Sequence, residues 1–373
     1  MPITVREVLG ILNRIAPPQW ACRDDPVGLQ VGDPNQAVER VLVALDPDPK
    51  TVTHAHYRHC QLLITHHPLI FRPLRTVRSD DPLGQAVQLL CAHQIAHIAV
   101  HTNWDVAPGG INDALAKAVG LESVRPFGEG TAVPQYKLVV FVPTDYLDTV
   151  LDAMASAGAG VIGLYRRCAF YHPGTGTYEP MEGANPFQGS VGQREHVDEM
   201  RLEILVPDDK LEGVIQAIEH AHPYEEVAYD VYPLRTSQAY ALGRVGRLPC
   251  PMLASELRDY LADKLGNPYV RLYGKPNGTV RTLAVVGGAG GDSLASAKNA
   301  FADALLTGEV RHHHTWEAWA RDLVLFEGGH AETETPGVHA LAERLHAELE
   351  PYGVEIFTTG GPHEPLLRAD CGR

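Results

Sequence analysis

Residues 61–71, QLLITHHPLIF, hold the first side chains able to do chemistry. Leu62, Leu63 and Ile64 form a short apolar run that ends in Thr65 and the pair His66-His67, and Pro68 stops any regular ladder. A run of this length suits a strand buried on both faces. Two imidazoles at its exit are costly to bury alone and gain most by binding something. Asp105 stands just past a second such run, residues 95–100 (IAHIAV), and His330 with Glu334 just past a third, residues 323–326 (LVLF). Open parallel sheets place ligand sites beyond the carboxyl ends of their strands. A spacing of four brings His330 and Glu334 onto one helical turn, with Pro336 close behind.

Three imidazoles and two carboxylates exceed what one catalytic metal needs, because such a site keeps a position open. They suit two ions with a bridging carboxylate and a shared hydroxide. Neighbouring residues in extended chain diverge, so His66 and His67 are free to serve different ions. The mixture of donors suits zinc, manganese or iron alike. Taken singly, Asp105 reads as a loop cap and His330 with Glu334 as an exposed turn. Their conjunction at three strand exits favours metal.

Other chemistry ranks lower. Glu309 closes the TGE of residues 307–309 at a fourth strand exit, and the run His312-His313-His314 comes next. Glu309 and His313 are candidate pocket residues, for lining or proton transfer; an exposed turn is the alternative. GGAGGDS, residues 287–293, lacks the GK[ST] of a P-loop and reads as a tight turn between strand and helix. His54, His56 and His59 read as solvated, and His93 and His97 as packing residues.

The elements that must position these groups alternate. Helices are expected over 3–16, 51–60, 82–94 and 111–120, and strands over 41–45, 61–65 and 95–100; residues 20–32, ending in GLQVGD, read as a loop. The pattern restarts with strands at 283–286, 304–307 and 323–326, helices between them, a last helix over 337–349 and a closing VEIFTT. Alternation of this kind implies parallel sheets covered on both sides. Between the two α/β lobes, 1–124 and 246–373, residues 125–245 run strand (137–142), helix (145–157), strand (161–171), strand (199–206), helix (208–220) and strand (227–232). That βαββαβ order is a ferredoxin-like signature. The expected fold is therefore α/β: two lobes forming one discontinuous core, interrupted by an α+β insert.

Composition narrows the partners. With 31 basic against 46 acidic residues the net charge is −15, which repels nucleic-acid phosphate and anionic lipid. Cys22, Cys60, Cys91, Cys168, Cys250 and Cys371 show no CxxC and no close pairing, as expected of a reducing cytoplasm. The first seventeen residues carry Arg6, Glu7 and Arg14 among their apolar positions, an amphipathic helix and not a signal peptide. No apolar stretch approaches membrane-spanning length.

GLQVGD, LLITHHPLIF, HTNWDVAPGGINDALA, GGAGGDSLASA, FADALLTGEV and GGHAETE together resemble the GTP cyclohydrolase I type 2 homologs, also called Nif-three-like dinuclear metal-centre proteins. KLVVFVP, AGAGVIGLYRRCAF and AHPYEEVAYDVYPL are similar to the PII-like domain of that family's longer bacterial members. The resemblance implies that His66 and Asp105 serve one divalent ion and His67 and His330 the other, with Glu334 shared. It also implies a toroidal homohexamer with the metal sites facing an internal cavity. One departure is local: Asp25-Pro26 stands where the family has Trp-Asp-Asn before Gly-Leu-Gln. The function expected is a dinuclear-metal-dependent hydrolase that activates a bridging water against a nucleotide or related small substrate. The alternative is a non-enzymatic metal-binding or regulatory protein that senses through its PII-like insert.

Overall fold

The computed structural model describes residues 2–162 and 165–359, and their side chains outside 129–133 and 236–240. Cys371 lies outside the described residues, as do Gly163 and Leu164 of the strand expected over 161–171. Two compact units are formed, residues 1–131 with 240–373 and residues 132–239.

The first unit opens with α1 (Val5–Ile15), β1 (Gly28–Val31), β2 (Arg40–Ala44), α2 (Pro49–Tyr57), β3 (Leu62–Thr65), α3 (Pro82–Ala92), β4 (Ala96–Ala99), α4 (Thr102–Val106) and α5 (Ile111–Ala118). Helix starts are marked in the sequence: Asp48 accepts from Thr51 N and Asp81 from Gly84 N, each followed by proline at the first helical position. All four side chains of β3 are buried, as its apolar run requires. β2, β3 and β4 are parallel and level, with Ala44 opposite Thr65 and Thr65 opposite Ala99. Their exits therefore deliver Asp46, His66-His67 and His101 to one edge.

GLQVGD is not the loop expected of it. Residues 28–31 form β1, antiparallel to β4 at the sheet edge. Glycines at positive φ open and follow the strand, Gly28 at 103° and Gly32 at 110°.

The chain leaves through β5 (Glu122–Pro143) and returns through β8 (Tyr229–Leu253). In the second unit it adds α6 (Leu147–Ser156), β6 (Ala169–Tyr178), β7 (Glu195–Pro207) and α7 (Asp208–Ala221). The strand order is β6-β7-β5-β8, with β7 antiparallel to both β5 and β6. β6 begins at Ala169, later than expected, and runs on through Pro173, Gly174 and Gly176. An edge strand tolerates proline because one row of its backbone groups is unpaired. Leu138, Val140, Leu202 and Ile204 face Val150, Met154, Val214 and Ile218 of the two helices in one apolar core.

Back in the first unit come α8 (Ala254–Leu265), β9 (Arg271–Tyr273), β10 (Thr279–Val286), α9 (Leu294–Asn299), β11 (Ala304–Thr307), α10 (His312–Ala320), β12 (Val324–Glu327), α11 (His330–Leu349) and β13 (Glu355–Thr358). β10, β11 and β12 are parallel, with Val286, Thr307 and Glu327 level. Leu283 and Val285 pack toward α5 and α8, while Ala284 and Val286 pack toward α9 and α10. The sheet is thus buried on both faces. β13 pairs in parallel with β2, so VEIFTT completes the sheet of the first lobe, in the order β1-β4-β3-β2-β13. Among the described residues no helix is long and apolar enough to cross a membrane.

Candidate metal centre

The level exits of the two parallel sheets bring His66, His67, Asp105, His330 and Glu334 together. Asp105 arrives on α4 and not on the loop expected. His330 and Glu334 lie in the first turn and a half of α11, which starts seven residues earlier than expected and runs through Pro336. Gly329, at φ +93°, turns the chain into that helix.

Each imidazole is held from behind. His66 Nδ1 donates to the Val100 carbonyl at 3.0 Å, His67 Nδ1 to Asp46 at 2.7 Å and His330 Nδ1 to Glu309 at 2.7 Å. Carbonyls and carboxylates only accept, so each Nδ1 carries the proton and the neutral ring offers its Nε2 lone pair forward. Backing of this kind is what metal-binding histidines use to fix tautomer and orientation.

What the rings face is Glu334. Its Oε2 lies 3.2 Å from Nε2 of both His67 and His330, and its Oε1 lies 3.6 Å from His66 Nε2. Asp105 Oδ1 is 3.5 Å from His66 Nε2, and the Nε2 atoms of His67 and His330 are 3.2 Å apart. His66 Nε2, Asp105 Oδ1 and Glu334 Oε2 are nevertheless buried without a hydrogen bond, three of the five such side-chain atoms among the described residues. Buried polar atoms are nearly always paired, so this concentration points to a shared cationic partner. Gly288, at φ +59°, leaves the room: a Cβ there would come within 2.1 Å of Glu334 Oε1 and 3.2 Å of His330 Nε2.

The electrostatics agree. Burial opposes charge on Glu334, but His330, His66 and His67 hold its carboxyl well below the usual range. Burial likewise opposes a charge on His67, yet Asp46 and Glu334 carry it up to about 10; Glu334 and Glu309 raise His330 to about 9. Asp105 is pushed up to about 6 by burial, against the pull of His66. A cluster that draws protons this strongly favours any cation.

Sequence reasoning missed His101, Asp25 and Asp46. A ring nitrogen of His101 groups with those of His66 and His67 within 4.8 Å, and its Nδ1 donates to Asp25 at 2.9 Å. The signal was present in HTNWD, where His101 precedes Asp105 by four residues. Of the two pocket candidates, Glu309 is at the cluster as the partner of His330. His313 falls instead in a group with Asp292 and His314. The amides of Gly287, Gly288 and Gly290 are taken by Asn112, Thr333 and Thr307, so GGAGGDS is the packed turn expected. Asn112 also donates to the Asp105 carbonyl at 3.1 Å and ties α4 to that turn.

Comparison with known proteins adds the family. A model of Duf34/NIF3 (NGG1p interacting factor 3) matches residues 3–365. A GTP cyclohydrolase 1 type 2 homolog of Bacillus subtilis (strain 168) is 38% identical over 364 residues, 97% of either chain. One of the same name from Mycobacterium tuberculosis is 37% identical over 358 residues, covering 94% of this chain and 93% of that one. A solved Bacillus cereus protein related to NIF3 superposes with a TM-score of 0.88 at 34% identity, over 98% of this chain and 99% of its own.

Proposed function

The chain belongs to the Duf34/NIF3 family, and on that premise we propose that its cluster holds two divalent ions and hydrolyses a small substrate such as a nucleotide. The observation that carries this reading is the set of buried, unpaired atoms on His66, Asp105 and Glu334. His66 and Asp105 would hold one ion and His67 and His330 the other, with Glu334 turning one oxygen toward each. Zinc, iron and manganese all suit these donors. Divalent ions bound there would acidify water and polarise a scissile group. The chain's own part is positional. Asp46 and Glu309 keep the His67 and His330 lone pairs forward, and Gly288 keeps the approach to Glu334 clear of side chain. In the second unit, the strand order β6-β7-β5-β8 with α6 and α7 supports reading it as a ferredoxin-like, PII-like insert.

The test pairs metal content with turnover. Purified protein, stripped and reloaded, should take up two ions per chain by elemental analysis and hydrolyse at least one of a panel of nucleotides and simple phosphoesters. His66→Ala and Glu334→Ala should lose both properties. Turnover equal in wild type and variants would sink the hydrolase reading. Two ions bound with no turnover of any substrate would leave a metal-binding protein.

A further inference from the structure

The centre has an internal repeat that the five-residue ligand set leaves incomplete. On one side, His330 and Glu334 are four residues apart at the start of α11, and a carboxylate from another loop, Glu309, backs the imidazole. On the other, His101 and Asp105 are four residues apart at the start of α4, and Asp25 backs the imidazole in the same way. Each pair receives one member of His66-His67. The ring of His101 lies 5.2 Å from that of His66, and the ring of His330 lies 5.2 Å from that of His67. His101 is also nearer to His66 than to His67, whose ring is 5.8 Å away.

From this repeat we infer that His101 is a sixth donor of the centre, serving the ion on the His66 side as His330 serves the other. The inference rests on the dinuclear reading above and adds to it one ligand and its support. Asp25 is committed to the task. Its side chain is only 3% exposed, one oxygen accepts from His101 Nδ1, and the other accepts from Thr102 N at 3.1 Å and from the Thr102 hydroxyl. A carboxylate buried to brace one imidazole is costly unless that ring's orientation matters. Nδ1 is occupied by this bond, so the neutral ring's lone pair is on Nε2. Phe71, edge-on to the ring with centroids 6.3 Å apart, limits its rotation from the other side.

The test is cobalt binding to stripped protein, followed by calorimetry and by the visible absorption of the bound metal. Wild type should take up two ions. His101→Ala should weaken one of them by roughly 100-fold or more and leave the other near wild type, with the absorption of the weakened ion changed. Asp25→Asn should weaken the same ion by about 10-fold, because a misaligned imidazole is still present. His312→Ala, an exposed histidine, should match wild type in both measurements. Retention of the unweakened ion certifies that the variants are folded. If His101→Ala and Asp25→Asn both bind two ions with wild-type affinity and spectrum, the sixth donor is wrong and the five-ligand centre stands. If wild type takes up no second ion, the dinuclear reading falls and this inference with it.

Discussion

Two histidine runs in this chain look alike as text and differ as chemistry. His66-His67 ends a buried strand, its Nδ1 protons tied to Val100 and Asp46, and three buried atoms of its cluster, on His66, Asp105 and Glu334, lack hydrogen-bond partners. His312-His313-His314 opens a surface helix. There Arg311 N donates to His314 Nδ1 at 3.1 Å, His314 Nε2 lies 3.0 Å from Asp292, and His312 Nε2 accepts from the Trp316 indole at 3.1 Å. In the second run His312 and His314 have their partners, and His313 is exposed. The difference teaches that the number of imidazoles matters less than what is left unpaired once the fold has closed.

The sharpest way to break this contrast is to remove the centre of one run and the partner of the other. Glu334→Ala should lower affinity for both ions by about 100-fold or more, whereas Asp292→Asn should leave metal uptake unchanged by elemental analysis. Equal loss in the two variants would erase the distinction. Metal removal comes next in size. A ligand present at 100 times its Kd stabilises by about 2.7 kcal/mol, so chelation should lower the melting temperature by on the order of 5–10 °C. Asp292→Asn should keep that response and Glu334→Ala should lack it. The braces should cost less than the ligands: Asp46→Asn and Glu309→Gln should each weaken one ion by about 10-fold in calorimetry.

His97 offers a third environment, read in the acid stability of the fold and not in metal affinity. The Thr65 hydroxyl donates to the His67 carbonyl and accepts from His97 Nε2, while burial pushes the His97 imidazole down to about 3. The folded state therefore stays unprotonated at His97 while the unfolded chain gains a proton below about pH 6.5. His97 thus costs nothing above that pH, and stability falls as pH drops toward 3, by up to about 1.4 kcal/mol per pH unit. Urea unfolding of metal-free protein at several pH values should show a shallower acid slope in His97→Gln.

Much of the site was legible because strand exits can be read from apolar runs. Leu62–Thr65 and residues 323–326 announce buried strands, and the residues just past such strands in a parallel sheet face a common edge. Asp46, Asp25 and Glu309 as braces were not legible. Asp46 and His67 are 21 residues apart, as are Glu309 and His330, while Asp25 and His101 are 76 apart; only tertiary contact joins them. β1 was hidden by its flanking glycines, and the early start of α11 by Pro336. The two long strands β5 and β8 span residues 122–143 and 229–253 and were each read short, over 137–142 and 227–232.

The pairing of β13 with β2 has a consequence for synthesis. The sheet that presents His66 and His67 gains its fifth strand only when residues 355–358 have been made, and by then α11 with His330 and Glu334 has already been translated. A chain made only as far as the second unit holds neither His330 nor Glu334 and cannot assemble a closed chelating cluster. Nascent chains that have not yet reached α11 and β13 should therefore hold cations poorly, and loading waits on those last two elements of the first unit.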